Sequence, residues 1–363
     1  MNHCGLLSRV LAHAVVCLTV TGTLFSQEWT RFRGPNGSGI SHAKTIPSVW
    51  TDRDVRWRAA LPGLGHSSPV IWDRRVFVTA VSEDGARFQV LCLDAVSGDV
   101  LWNRPFPYHE FNKHKFNSFA SATPVVDERM VYVAWSVPER LQLAAVDHAG
   151  QVVWQRDLGP YVSQHGCGAS PILHEGRVIF ANEQDGESFV AALDAATGKT
   201  LWMLPRRTKT TAYSTPVIHS PESGKAQLIL NSQAHGIYAI EPHSGRVAWE
   251  VSDVFDKRSV SSPVVAGELI LGSCGSGGGG NFVSCVRVGK PGTGGGASVV
   301  YQVKKSAPYV PTAVALEDRA WLWSDSGVVS LMDVSTGAVR WQERVGGNYF
   351  GSPVWVSGRL FAV

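Results

Sequence analysis

Seven short stretches, each just ahead of a proline, hold most of the side chains able to do chemistry in this 363-residue chain. They are Gly65-His66-Ser67, Asn117-Ser118-Phe119, His165-Gly166-Cys167, Thr211-Ala212-Tyr213, Lys257-Arg258-Ser259, Pro308-Tyr309 and Asn348-Tyr349-Phe350. Among them stand His66, His165, Tyr213, Arg258, Tyr309, Tyr349 and Phe350. Aromatic, imidazole and guanidinium groups in one place suit recognition of a ligand or peptide. The same groups could instead plug a channel and satisfy backbone ends.

Other chemistries find less support. His109, Lys113, His114 and Lys115 lie in one long connection, Asn103–Ala120, but no two His sit at ligand spacing on one element, so no metal is expected. Asp94, Asp147, Asp194 and Asp333 each open a turn that ends in Gly, a place where Asp bonds turn backbone. A nucleophile elbow needs a strand-turn-helix, and no amphipathic helix is legible. Gly289-Lys290-Pro291 lacks the Ser or Thr that a phosphate loop places after Lys. No catalytic residue is assigned.

These residues must be positioned by a repeat. Its clearest copy is Ala192–Trp202: a strand, a tight turn with Asp194 at its start and Gly198 in the left-handed position, then a strand reaching Trp202. Asp94, Gly98 and Trp102 repeat the pattern, as do Asp147 with Trp154, Gly245 with Trp249, and Asp333 with Gly337 and Trp341. Trp102, Trp154, Trp202 and Trp249 are 52, 48 and 47 residues apart. Each unit opens on a strand marked by Ser68-Pro69, Thr123-Pro124, Ser170-Pro171, Thr215-Pro216, Ser262-Pro263, Pro311-Thr312 or Ser352-Pro353. Pro is tolerated at a strand's first residue. Four strands per unit at this period predict an all-β propeller with six complete blades and an incomplete closing blade, seven or eight in the full ring. In the fifth unit Tyr301 replaces the Trp. Val55–Leu61 alternates like the last strand of a blade and is expected to pair with the chain's other end and close the ring. Trp29–Gly39 is expected to be an ordered loop packed by Trp29, Phe32 and Trp50.

The chain divides into 1–26, laid out like a secretory signal peptide; 27–54, a loop segment; and 55–363, the propeller, which stops within a strand and is expected to continue. A net charge of +3 with 17% charged residues points to neither nucleic acid nor a membrane surface. The apolar run at Val10–Val20 is too short to span a bilayer, so no integral segment is expected after cleavage. Neither Cys4 nor Cys17 has a lipidation context. Export allows disulfides, and Cys274 with Cys285, flanking a Gly-rich hairpin, are the best pair; burial as free thiols is the alternative.

The run Ala192–Trp202 resembles the PQQ-like β-propeller repeat, Ala-x-Asp-x-x-Thr-Gly-x-x-x-Trp, over about residues 50 to 363. That resemblance covers quinoprotein dehydrogenases, which hold PQQ with calcium, BamB-type scaffolds, and exported propellers carrying a segment like Trp29–Gly37. The first group implies an adjacent Cys pair and calcium carboxylates, and no position here matches them. The resemblance therefore implies a monomeric periplasmic or secreted binding or scaffold module, without cofactor, for a protein or peptide partner in the envelope. A PQQ-dependent oxidoreductase or a degenerate quinone-binding relative is the alternative.

Overall fold

A hydroxyl beside each strand-opening Pro, in front of it in every blade but the sixth, where Thr312 follows Pro311, joins one blade to the next. The amide of Ser68 donates to Thr123 Oγ1, Thr123 to Ser170 Oγ, Ser170 to Thr215 Oγ1, Thr215 to Ser262 Oγ, Ser262 to Thr312 Oγ1 and Thr312 to Ser352 Oγ, at 2.9–3.3 Å. Each amide would otherwise be left unpaired where the inner strands converge, because Pro cannot extend the ladder there. This is why six of the seven units begin Ser/Thr-Pro.

The computed structural model describes residues 29–111, 114, 117–221, 224–289 and 296–363. The expected signal segment 1–26, with Lys113 and Lys115, lies outside them. Six four-stranded antiparallel sheets follow in chain order. Blade 1 runs Val70–Trp72, Arg75–Val81, Arg87–Asp94 and Val100–Pro107. Blades 2 to 6 open at Val125–Val126, Ile172–His174, Val217–His219, Val264–Ala266 and Val314–Leu316, and close at Val152–Asp157, Thr200–Arg206, Val247–Val251, Ala297–Val303 and Val339–Arg344. The β-propeller expectation holds. The core lies between blades, as where Tyr132, Leu143 and Trp154 of blade 2 meet Val178, Phe180 and Leu193 of blade 3.

Two details explain the rest of the repeat. Asp94 accepts the amides of Ser97 and Val96 inside its own turn, and Asp333 the Ser335 hydroxyl and Arg340 as well as two turn amides, which holds both carboxyls below the ordinary range. Second, the aromatic at the end of one blade docks on the turn of the next. The indole N–H donates to the carbonyl one residue beyond the turn's Asp or Glu: Trp57 to Ala95, Trp102 to His148, Trp154 to Ala195 and Trp202 to Pro242, at 2.9–3.0 Å. Tyr301 does the same to Val334 with its hydroxyl at 2.6 Å. The turn Gly lies flat under the ring; a Cβ on Gly198 would stand 2.6 Å from Trp154. Trp249 departs from this by bonding Gln227 Oε1. Trp341 keeps its register opposite Leu331, yet no such turn receives it among the described residues, and it is 48% exposed.

The seventh sheet corrects the expected closure. It holds Val354–Val356 and Arg359–Phe361, joined by Ile40–Ser41 parallel to Val354–Val356. Val55–Leu61 is not a strand, because no described strand offers it a ladder, although Trp57 still docks on blade 1. The expected Cys274–Cys285 disulfide is also corrected: both thiols are free. Cys274 pairs in register with Phe282 and Cys285 with Leu271. That three-residue offset turns the side chains to opposite faces, into different cores, where no bridge can form. The connection Asn103–Ala120 is shorter than expected, since its first residues extend a strand to Pro107.

Candidate functional site

The segment beginning at Trp29 is ordered, as expected, but it sits in the bore of the ring. The Trp29 carbonyl accepts from Ile71 of blade 1, and that of Thr30 from Val126 of blade 2. Asn36 exchanges two bonds with Ile218 of blade 4. Arg31 donates to the Pro216 carbonyl at 2.5 Å, and Arg33 to those of Gly37, Ala313 and Pro353. The Gly39 carbonyl receives Trp355 of blade 7. A short turn-rich segment thus reaches the inner strands of five blades. Both arginines are buried, neither pairs with a carboxylate among the described residues, and burial pushes each down to about 9, still charged at neutral pH. Their anchors are carbonyl dipoles. Trp50, expected to pack this segment, is instead 55% exposed, beyond the last inner-strand contact.

This plug closes a cavity of about 1700 Å³ whose floor includes Trp29, Phe32 and Arg33. The loops ahead of the inner strands rim it. His66, His165, Tyr213, Arg258, Tyr309 and Phe350 all line it, so the structure gathers six of the seven expected mouth residues. Tyr349 is the exception. Its ring packs edge-on against Trp323 at 5.1 Å, while its amide is held by the Asp325 carbonyl.

Backbone contacts between loops fix the rim. The His66 amide donates to the Ala120 carbonyl and to Ser118 Oγ; the Tyr213 amide donates to the Ser259 carbonyl. Asn117 Nδ2 bonds the His165 carbonyl. The His165 ring meets His114 at 4.9 Å and Tyr213 at 5.6 Å, both edge-on. Burial, with Arg258 and His114 nearby, drives the His165 imidazole down to about 4, so it is neutral near pH 7. Burial likewise raises the Tyr213 and Tyr309 hydroxyls, keeping them protonated. His109 lies apart from this group, bonded to Glu139 at the surface. Residues missed from the sequence are Gln164, which meets Arg258, and Asp325, whose oxygens receive the Tyr309 and Val310 amides. Neither adjoins a strand-opening Pro, so the repeat gave no signal for them.

A sequence-family model described as outer membrane protein assembly factor BamB matches residues 49–158 and 89–342. The chain belongs to this BamB family. BamB of Yersinia pestis is 27% identical over 123 residues, 33% of this chain and 30% of that relative, so the match spans under a third of the relative's length. BamB from Moraxella catarrhalis superposes with a TM-score of 0.57 at 17% identity, over 80% of this chain and 76% of that one. The quinohemoprotein alcohol dehydrogenase from Comamonas testosteroni superposes at 0.56 with 12% identity, over 92% and 76%. At such identities the likeness is one of fold, shared by BamB and the dehydrogenase alike. No helix among the described residues is long and apolar enough to cross a membrane.

Proposed function

We propose that this chain is an exported binding module of the cell envelope that receives a partner at the loop-rimmed mouth of its cavity. One observation carries the reading: the bore is closed by the chain's own Trp29–Ser41 segment, leaving a blind cavity whose rim is built from all seven blades. A blind cavity lined by Tyr213, Tyr309 and Phe350 offers large contact area at small entropic cost, which suits recognition. The BamB family lends this a scaffold role in outer membrane protein assembly.

The competing reading, a calcium-held quinone oxidoreductase, asks for donors that the cavity does not bring together. Among the described residues Asp325 is the one side-chain carboxylate that lines it, and both its oxygens accept backbone amides. Among the described residues no three His, Cys, Asp or Glu come within reach of one metal ion. No Cys lines the cavity among the described residues; Cys167, next in sequence to the lining Gly168, is buried and raised by that burial to about 12, with no adjacent Cys.

The test places a photo-crosslinking residue at Phe350 or at the outer-strand position Leu201, in the full chain expressed in its own cells. Adducts with one discrete protein at 350 and none at 201 support the reading. Equal adducts at both, or dye-linked alcohol oxidation after loading with PQQ and calcium, overturn it.

A further inference from the structure

We propose that the wall of the cavity built by blades 3 to 5 binds an organic anion, a carboxylate on an apolar or aromatic body, with Arg258 as its receptor. This rests on the binding-module reading and names the class of group that the mouth accepts.

The cavity is unbalanced in charge. Among the described residues Arg33, Arg258 and Lys304 line it against the one side-chain carboxylate of Asp325, which is already met by two amides at 2.7 and 3.0 Å. Arg33 is fully engaged by backbone carbonyls, so it contributes field and not contact. Arg258 differs. No carboxylate pairs with it among the described residues, and its Nη1 and Nη2 both reach the same oxygen, Gln164 Oε1, at a long 3.3 Å. Its Nε is buried with no acceptor. A guanidinium presents five donors in a planar fork matched to an oxyanion, and here the Gln164 oxygen and the neighbouring Tyr309 hydroxyl, both neutral, leave its charge unpaired.

Its position is fixed in advance. The Arg258 carbonyl receives the Gly275 amide at 3.0 Å, and the guanidinium stands 5.7 Å from the centre of the Tyr213 ring. An incoming anion therefore meets a receptor already ordered and half-removed from water, where charge-assisted bonds count for more. Along the neighbouring wall, blades 6 and 7 contribute Val310, Val354 and Phe361 to the lining, apolar surface for the ligand's body. His165, neutral near pH 7, adds a polar edge without a competing charge.

The probes are 2-naphthoate and its neutral analogue 2-naphthamide, titrated calorimetrically into the wild-type chain and into Arg258→Gln. Naphthoate is expected to bind the wild type, more tightly than the amide, and roughly tenfold more weakly to Arg258→Gln, the scale of one lost charged hydrogen bond. The amide is expected to be indifferent to the substitution. Equal binding of acid and amide, an unchanged naphthoate affinity in Arg258→Gln, or no naphthoate binding to the wild type each overturns the proposal. Should Arg258→Gln fail to fold, Arg258→Lys replaces it, keeping the charge and losing the fork, with a smaller loss expected. Position-350 crosslinks with a protein, alongside any of those failures, would leave the binding module standing and remove the anion alone.

Discussion

The hydroxyl of Ser170 accepts the amide of Thr123 at 2.9 Å across the boundary between blades 2 and 3. Ser170's own amide passes the same bond on to Thr215. Both side chains are buried, so the link is unscreened by water. Ser170→Ala leaves the Thr123 amide without its acceptor and is expected to destabilise the ring by about 1–3 kcal/mol. Ser170→Thr, which keeps the hydroxyl as Thr123, Thr215 and Thr312 do in three other blades, is expected to lose much less. Urea unfolding of the two variants checks this; equal losses would show that volume, not the hydroxyl, matters.

Gly198 and Gly176 separate two roles that a repeat Gly can have. Both have positive φ, 69° and 72°. A Cβ on Gly198 meets the Trp154 ring at 2.6 Å, whereas one on Gly176 meets nothing within 4 Å. Gly176→Ala is expected to cost about 1 kcal/mol from backbone strain alone. Gly198→Ala is expected to cost at least 1 kcal/mol more, by displacing an indole from its dock. Thermal unfolding of both variants, with Trp fluorescence as a second signal, reads the difference.

Arg33 supports the plug through carbonyls of blades 6 and 7. Arg33→Met leaves those carbonyls without a donor, and a loss of roughly 3 kcal/mol is expected. Arg33→Lys is expected to recover little, because one ammonium cannot bridge both blades as the fork does. Limited proteolysis should cut near Trp29–Ser41 in both variants and spare the wild type. A wild-type-like digest would show the plug is held by its other bonds.

Glu183 gives the fold a pH dependence of defined sign. Burial raises its carboxyl from 4.5 to about 7, against weaker lowering by Ser232, Tyr238 and Arg206. Between those values the unfolded chain has released the proton and the folded chain has kept it, so stability falls as pH rises. His165 opposes this, because its lowered imidazole makes stability rise from about 4 to 6.5. The informative quantity is wild type minus Glu183→Gln. It is expected to decline by on the order of 3 kcal/mol from pH 4.5 to 7 and then level. A flat difference would mean that Glu183 stays ionised in the folded chain.

The blade architecture was legible because a propeller writes each blade in local terms: a Pro that starts a strand, an Asp that opens a turn, an aromatic that ends the unit. Six of seven mouth residues were legible for the same reason, since their place follows from the strand they precede. Tyr349 was not, because the ring it packs on, Trp323, ends a strand of blade 6 while Tyr349 precedes the inner strand of blade 7. The indole docks were hidden, since Trp154 and Gly198 carry the interaction across a blade boundary 44 residues away in sequence. The plug was hidden more deeply. Trp29–Ser41 has no periodicity, and the partners of Arg31 and Arg33 lie 185, 280 and 320 residues downstream. Cys274 and Cys285 misled because nearness along a hairpin says nothing of face until the register is known.

Those same separations set an order of events. Each hydroxyl link and each docked indole joins neighbouring blades, so the sheets can assemble one after another as the chain emerges. The plug cannot join in that sequence. Arg33 has nowhere to settle until Ala313 and Pro353 have taken their places, so a segment made ahead of every blade is the last to be anchored. Trp29–Ser41 then acts as a keystone: it waits outside a half-built ring, and its insertion marks the moment at which a row of blades becomes a vessel with a floor.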